Sequence, residues 1–420
     1  MAIAKVILNG TTLMDVTSDT VDAVNLLSGY YATGADGVRF SGSYAAPTGT
    51  ISITSNGVVD VTNYASADVN VSGGGGGGQQ KEIIERTVSY ISDNTVSFIG
   101  TYAFAQCSSL ETAIFTACSL IGSSAFHTCT SLSEISFPQC TEISHFAFVS
   151  CWSLSEISFS QCTSMGSGAF QNCSNLEVAS FPKCSIIAAS TFISCSSLAS
   201  AFFPSCTSVG SSAFYCCTNL SDFSFPKCTY IGAGAFLLCQ SISIASFSLC
   251  TTVSNNAFQS CYNLTDANFP ECLSLGGSAF NNCLSLTNIS FPKCTTIGAY
   301  AFYRCSSLSS VVNLPECTYM YSNVFTSCSS ITTVYLPKCS GFGANTFYSV
   351  RSLASLYLLS SKVCAMLNSN ALGGTAINLH NGYVYVPQSL VSSYKTATNW
   401  TYYSTQIVGL TNAEIEALNL

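Results

Sequence analysis

The chain has 420 residues, only 8% of them charged, and a formal net charge of −8; an average soluble chain is about 25% charged. Its 12 Lys and Arg residues are scattered and make no patch for a phosphate backbone, which argues against a nucleic-acid partner. No run of about 18 apolar residues occurs, so no membrane-inserted helix is expected.

The opening stretch, MAIAKVILNGTTLMDVTSDT, does not have the form of a secretory signal, because Asn9-Gly10 interrupts its short apolar run. Folding in a reducing cytoplasm is therefore expected, where cysteines default to free thiols. Residues 1–72 set Gly and Asn between short β-type runs and are expected to form a small, mostly β N-terminal domain. The Gly-rich stretch 73–80 is a flexible tether. Residues 81–103 are an incomplete first repeat, expected to cap the array that follows.

From residue 104 to 360 one unit recurs. The Phe of an Ala-Phe-like pair falls at Phe104, Phe126, Phe148, Phe170, Phe192, Phe214, Phe236, Phe258, Phe280 and Phe302, a strict 22-residue interval, then at Phe325 and Phe347. In one copy Ile135 and Phe137 alternate with Glu134 and Ser136, which is strand periodicity. In its second half Ile143, Ala147 and Phe148 are spaced by four and five, which favours a short helical or 3₁₀ turn over another strand. Eight of the ten prolines stand at one place in the repeat, each costing a helix interior about 3 kcal/mol, and so exclude a coiled coil. A short strand-plus-turn unit cannot bury its apolar face alone; copies must stack as a solenoid.

The cysteines form two interleaved combs. Cys118, Cys140, Cys162 and their successors follow the strand, and Cys107, Cys129, Cys151 and theirs follow the Ala-Phe turn. Stacked neighbours point the same way at about 4.8 Å, while a disulfide wants Cβ atoms about 3.8 Å apart. Each comb holds eleven cysteines, with Cys216 and Cys364 outside both. Metal sites need clustered ligands, and the histidines, His127, His145 and His380, are scattered. Buried thiol ladders fit better than either alternative, and no metal or cofactor is expected.

Leu132, Ile135, Phe137 and Cys140 occupy the key slots of L-x-x-L-x-L-x-x-N/C, so the unit resembles a leucine-rich repeat. Its Ala-Phe plus Cys ending, as in IGAYAFYRCSSL, is similar to the BspA-like subclass, over about twelve copies. The resemblance implies an α/β repeat solenoid with a parallel β-sheet face. Residues 383–410 resemble the segment that closes such arrays, which makes 361–420 the expected C-terminal cap, after Val350 replaces a turn cysteine and the period is lost. Two stretches of the N-terminal domain, TLMDVTSDTVDAVNLLSGYYATGADGVRFSGS and GTISITSNGVVDVTNYASADVNV, resemble small modules of bacteriophage tail and baseplate proteins.

With the large apolar residues inward, one outward column of the sheet runs Thr112, Glu134, Glu156, Val178, Ser200, Asp222, Ile244, Asp266, Asn288, Ser310, Thr333 and Ser355. Its neighbour includes Ser136, Asn268, Val312, Tyr335 and Tyr357. Glu134, Glu156, Asp222, Asp266, Asn268 and Asn288 offer carboxylates and amides to sugar hydroxyls, and Tyr335 and Tyr357 offer rings for stacking. Equally, Ser and Thr suit exposed strand positions and duplication copies them. Lys183, Lys227, Lys293 and Lys338 recur after the proline and are expected to be solubilising edge charges. No catalytic set emerges: Glu134 and Glu156 lack a pocket, His127 lacks a nucleophile, and Cys216 is one exposed thiol or an incidental substitution. The expected role is non-catalytic: a phage tail-associated adhesin, part of the virion, contacting a host cell-surface protein or glycan through the array and other tail proteins through residues 1–72. A bacterial BspA-like adhesin at the cell surface and a purely structural virion spacer are the alternatives, and homo-oligomerisation stays open.

Overall fold

In the computed structural model, residues 89–419 are described throughout, together with the backbone of seven short strands between Lys5 and Val71. Apart from those strands, the readings of residues 1–72, of the linker and of the start of the 81–103 segment lie outside the described residues. The chain divides into two compact units, residues 1–204 and 205–420.

Within residues 89–204 the chain winds as stacked coils, each contributing two short strands. One coil carries Glu156–Ser158 and then Ser164–Met165. The first kind of strand pairs in parallel with its copy one coil on, Glu156 opposite Val178 and Ser158 opposite Ser180. The second does the same, Glu142 opposite Ser164 and Ile143 opposite Met165. Residues 205–419 repeat the arrangement, with Ile244–Ser246, Asp266–Asn268 and Asn288–Ser290 in one parallel ladder. Tyr230–Ile231, Thr252–Val253, Ser274–Leu275 and Thr296–Ile297 form the other. The architecture is a parallel β-solenoid of stacked coils.

The helical turn expected in the second half is not formed. Ile143 lies in the strand Glu142–Ile143, and Ala147 and Phe148 lie in a turn whose residues Phe146 and Ser150 are left-handed, with φ of 57° and 59°. No right-handed helix passes through such residues. Hydrogen bonding gives the reason for the difference. The amides of Phe126 and Thr128 donate to the Ala147 and Val149 carbonyls of the next coil, both at 2.7 Å, while His127 and Cys129 donate three residues back. A helix would take all of these amides for itself; the turn gives every second one to its neighbour. Among the described residues, α-helix is confined to Val391–Thr396 and Asn412–Glu416.

The core is built of stacks. The turn phenylalanines lie face on face, Phe126 over Phe148 at 5.0 Å and 2° in one unit, Phe258 over Phe280 at 5.3 Å and 1° in the other. The strand phenylalanines form a second stack, Phe247 over Phe269 at 5.4 Å, and meet the first edge-on, Phe258 to Phe269 at 5.9 Å and 63°. Offset stacks joined by edges are the arrangements aromatic quadrupoles favour. Leu, Ile and Ala fill the gaps, and Leu132, Ile143, Ala147 and Phe148 are buried.

At the C-terminal end the period loosens but the coils continue. Gly341 and Phe342 pair in parallel with Ala365 and Met366. The face ladder runs on from Ser355–Tyr357 to Tyr383–Pro387 and then to Ile407–Leu410. Trp400, Tyr394 and Tyr403 are buried over this end: the Trp400 indole donates to the Cys364 carbonyl at 2.7 Å, and the Tyr403 hydroxyl to the Ser369 carbonyl at 2.6 Å.

Candidate recognition surface

Hydroxyl groups flanking the strands do a structural job. Thr141 donates to the Ser119 carbonyl one coil back at 3.1 Å, and Thr251 to Thr229 at 3.2 Å. Before the strand, Thr265 donates to Ser243 and Thr287 to Thr265, both at 3.0 Å. Much of the Ser and Thr content is thus stitching between coils.

The cysteines stitch as well. Nine of the turn thiols donate to the carbonyl of the phenylalanine in the preceding coil, as Cys151 does to Phe126 at 3.1 Å and Cys283 to Phe258 at 3.1 Å. Each strand thiol donates two residues ahead, Cys140 to Glu142 and Cys250 to Thr252, both at 3.3 Å. None of the 24 cysteines is disulfide-bonded, and all are buried except the half-exposed Cys216. Burial pushes the thiols up, Cys118 and Cys228 to about 11 and Cys140 and Cys317 to about 12, away from nucleophilic range.

On the outward face Glu134, Glu156 and Asp222 are exposed. Glu134 and Glu156 stand in neighbouring coils, on strands that belong to different ladders. Asp266 and Asn288 are brought together: the Asn288 amide donates to the Asp266 carboxylate at 2.7 Å. The Thr265 hydroxyl, at 2.6 Å, and this amide hold the Asp266 carboxyl below its usual range. Asn268 reaches the Ser246 hydroxyl at 3.5 Å.

Two positions in the expected columns are corrected. The strand Val311–Asn313 pairs Val311 with Thr333 and Asn313 with Tyr335. Ser310 therefore precedes the strand and Val312 is buried, 1% exposed. This coil is one residue longer, and the extra residue falls between Leu308 and the strand, which shifts the outward positions by one.

Tyr335 and Tyr357 stack at 4.5 Å and 25°, and Tyr357 stacks in turn on Tyr385 at 4.5 Å and 14°. Tyr383, 49% exposed, flanks Tyr385 in the same strand. Partial burial first, and then the neighbouring phenols, raise the Tyr357 hydroxyl above its ordinary value. Because the ring faces cover one another, the ladder presents edges and hydroxyls outward. Tyr383, Tyr385 and Asn313 were missed from the sequence. Tyr385 follows Tyr357 by 28 residues rather than 22, and the alternating YVYVP run was the available signal.

Three of the four recurrent lysines pair one coil back: Lys293 with Glu271 at 2.7 Å, Lys338 with Glu316 at 2.6 Å, and Lys183 with the Gln161 amide oxygen at 2.6 Å. The ion pairs are half-exposed, and such pairs contribute at most about 1 kcal/mol.

Inward Leu, Ile and Phe on a parallel face ladder, closed by a turn and cysteine stacks, define a leucine-rich-repeat solenoid, a fold that works as an interaction scaffold. The chain belongs to the BspA-type leucine-rich repeat family, whose region model matches residues 97–205, 179–283 and 273–392. No curated protein matches it. Among solved structures, a leucine-rich repeat protein from Bacteroides ovatus is 23% identical over 63% of this chain and 83% of its own, with a TM-score of 0.42. A leucine-rich cell surface protein from Faecalibacterium prausnitzii is 18% identical over 92% of this chain and 98% of its own, also at 0.42. The pneumococcal vaccine antigen PcpA is 14% identical over 86% and 87%, at 0.39.

Proposed function

We propose that the chain is a non-catalytic adhesin whose array binds a cell-surface protein or glycan at the C-terminal end of its sheet face. The observation that supports this most is the tyrosine ladder Tyr335–Tyr357–Tyr385, which stands beside Asn313 on the sheet face. These half-exposed Tyr side chains combine apolar area with a polar tip, and Tyr is enriched where interfaces gain their energy. Asp266, Asn268 and Asn288 extend the surface with acceptors and amides, and Glu134, Glu156 and Asp222 are the more distant acidic positions in the sequence.

Two settings fit this reading. Family membership favours a bacterial surface adhesin of the BspA kind. The resemblance of residues 1–72 to tail and baseplate modules favours a phage tail-associated adhesin, with those residues joining other tail proteins. Absence of the polypeptide from purified virions removes the second setting.

The binding reading is tested by replacing Tyr335, Tyr357 and Tyr385 together with Ala and measuring attachment of the purified protein to cells. Attachment is expected to fall by about tenfold or more, the effect of removing interface aromatics. Unchanged attachment rejects this face and leaves the array a spacer.

A further inference from the structure

The turn edge of residues 89–204 carries a feature unrelated to the sheet face. The first left-handed position of successive coils holds Tyr102, Ser124, Phe146, Gly168 and Ser190. Large and small side chains alternate. Tyr102 and Phe146 are 56% and 45% exposed, and Ser124 between them is 7% exposed. Two coils at ordinary strand spacing set the aromatic residues about 10 Å apart. The Phe146 ring lies over Gly168, where a Cβ would come within 2.5 Å of its Cδ1 atom. Tyr102 and Phe146 both line an open depression of about 530 Å³, together with Ala105, Gln106, Ser124, His127, Val149 and Gln171. That volume is in the range of small-molecule sites.

Tyr102 and Phe146 hold φ of 58° and 57°, a region disfavoured for large side chains. In residues 205–419 the equivalent position is mostly Ser, Gly or Asn, as at Ser212, Gly234, Asn256, Ser278, Asn323 and Asn345. The fold therefore does not ask for aromatics here. The lining carries no Lys, Arg, Asp or Glu, which removes any basis for choosing an ionic ligand. The His127 Nδ1 is engaged with the Thr128 hydroxyl at 2.8 Å, which leaves Nε2 as the ring nitrogen for a ligand. Two amides and a hydroxyl, from Gln106, Gln171 and Ser124, complete the polar set.

We propose that this slot binds one neutral pyranose ring, with Tyr102 and Phe146 against its C–H faces and His127, Gln106 and Gln171 on its hydroxyls. Aromatic walls suit the apolar faces of a sugar, and uncharged donors and acceptors suit its rim. A purely apolar ligand would leave those polar groups unpaired, at a cost.

The test uses the full chain and saturation-transfer difference NMR with methyl glucoside, methyl galactoside and methyl N-acetylglucosaminide at millimolar concentration. Transfer to the ring protons of at least one sugar is expected. Tyr102→Asn and Phe146→Asn should each weaken it by about tenfold, with thermal midpoints retained, since Asn already occupies this position in other coils. Transfer from none of the three sugars overturns the proposal, as does transfer that persists unchanged in both variants. The Tyr335/Tyr357/Tyr385 variant is expected to keep its sugar signal, so this slot and the sheet face stand or fall separately.

Discussion

The Sγ of Cys364 lies 3.4 Å from the Sγ of Cys339, and both residues are fully buried. Elsewhere a strand thiol stands two residues before its strand and donates to that strand's first carbonyl, as Cys317 does to Tyr319 and Cys339 to Gly341. Cys364 directly precedes Ala365, the partner of Gly341, so the last coil is slipped by one residue and its thiol loses the local carbonyl. It turns to the sulfur of the coil below. By sequence Cys364 belonged to neither comb; in space it ends the strand stack.

This pair is expected to be the first to form a disulfide. With oxidised glutathione, the two thiols lose two electrons and two protons, and the oxidant leaves as two reduced molecules. The hydrogen bond to the Cys339 thiol, and then burial, hold the Cys364 proton tightly, so the reaction should be slow and should follow opening of the C-terminal end. Closing this loop is worth about 3–4 kcal/mol in the chain-entropy model. Peptide mapping should show a 339–364 link before any other; a different first pair, or a lower thermal midpoint after linkage, contradicts the reading.

The buried thiols make a prediction at alkaline pH. Cys118 and Cys228 rise from an ordinary 9.0 to about 11, so the native state keeps protons that the unfolded chain has lost. Their contribution is complete below pH 9 and is lost as pH climbs toward 11, with a slope of about 1.4 kcal/mol per pH unit for each thiol. Urea midpoints should therefore fall steeply above pH 9. A midpoint level to pH 10.5 rejects the argument. At pH 8 a thiol reagent should react quickly with Cys216 alone in the native protein and with all 24 cysteines after denaturation.

Phe258 touches four rings, stacking on Phe236 at 5.0 Å and Phe280 at 5.3 Å and meeting Phe247 and Phe269 edge-on. Phe258→Ala is expected to cost about 3–5 kcal/mol. Because each coil is supported by its neighbours, hydrogen exchange should quicken in the adjacent coils as well. A loss below 1 kcal/mol by chemical denaturation would falsify the aromatic spine as a source of stability.

Tyr300 occupies the left-handed position with φ of 61° and is 42% exposed. Asn takes this conformation more readily and stands there at Asn256, Asn323 and Asn345. Tyr300→Asn should raise stability by about 0.5–1 kcal/mol. A lower urea midpoint would show that the ring is kept for its packing on Tyr303, which it meets at 5.6 Å.

At Asp266 the carboxyl should titrate by NMR below its ordinary 3.8, and Asn288→Ser should move it back up. A depressed carboxyl stabilises the fold above its unfolded value and stops doing so as pH falls. The group is half-exposed, and solvent screening should keep the effect on stability small. An unchanged titration in the variant separates the pair.

Most of the solenoid was legible in particular residues. The interval of the Ala-Phe phenylalanines gave the stacking, the alternation at Ile135 and Phe137 gave the face strand, and the two combs gave the buried cysteine stacks. The second half of the coil was not legible, because the spacing of Ile143, Ala147 and Phe148 matches a helical turn as well as a strand and a bend. Left-handed residues such as Phe146 and Tyr300 carry no compositional mark, so nothing at those letters signals a change of hand. Tyr335 and Tyr357 were placed on one column correctly, but Tyr385 lay in what the sequence offered only as a closing segment.

Periodic information is local and repeats, so the letters alone determined the coil, its inward set and the family to which the chain belongs. Whether an amide serves its own turn or the next coil depends on a neighbour that exists only after stacking. That choice removed the helix, slipped Cys364 onto Cys339, added Tyr385 to the ladder and set Tyr102 and Phe146 on either side of Ser124. Contacts of this kind join residues far apart in the chain across a few ångströms, and only the wound structure brings them together.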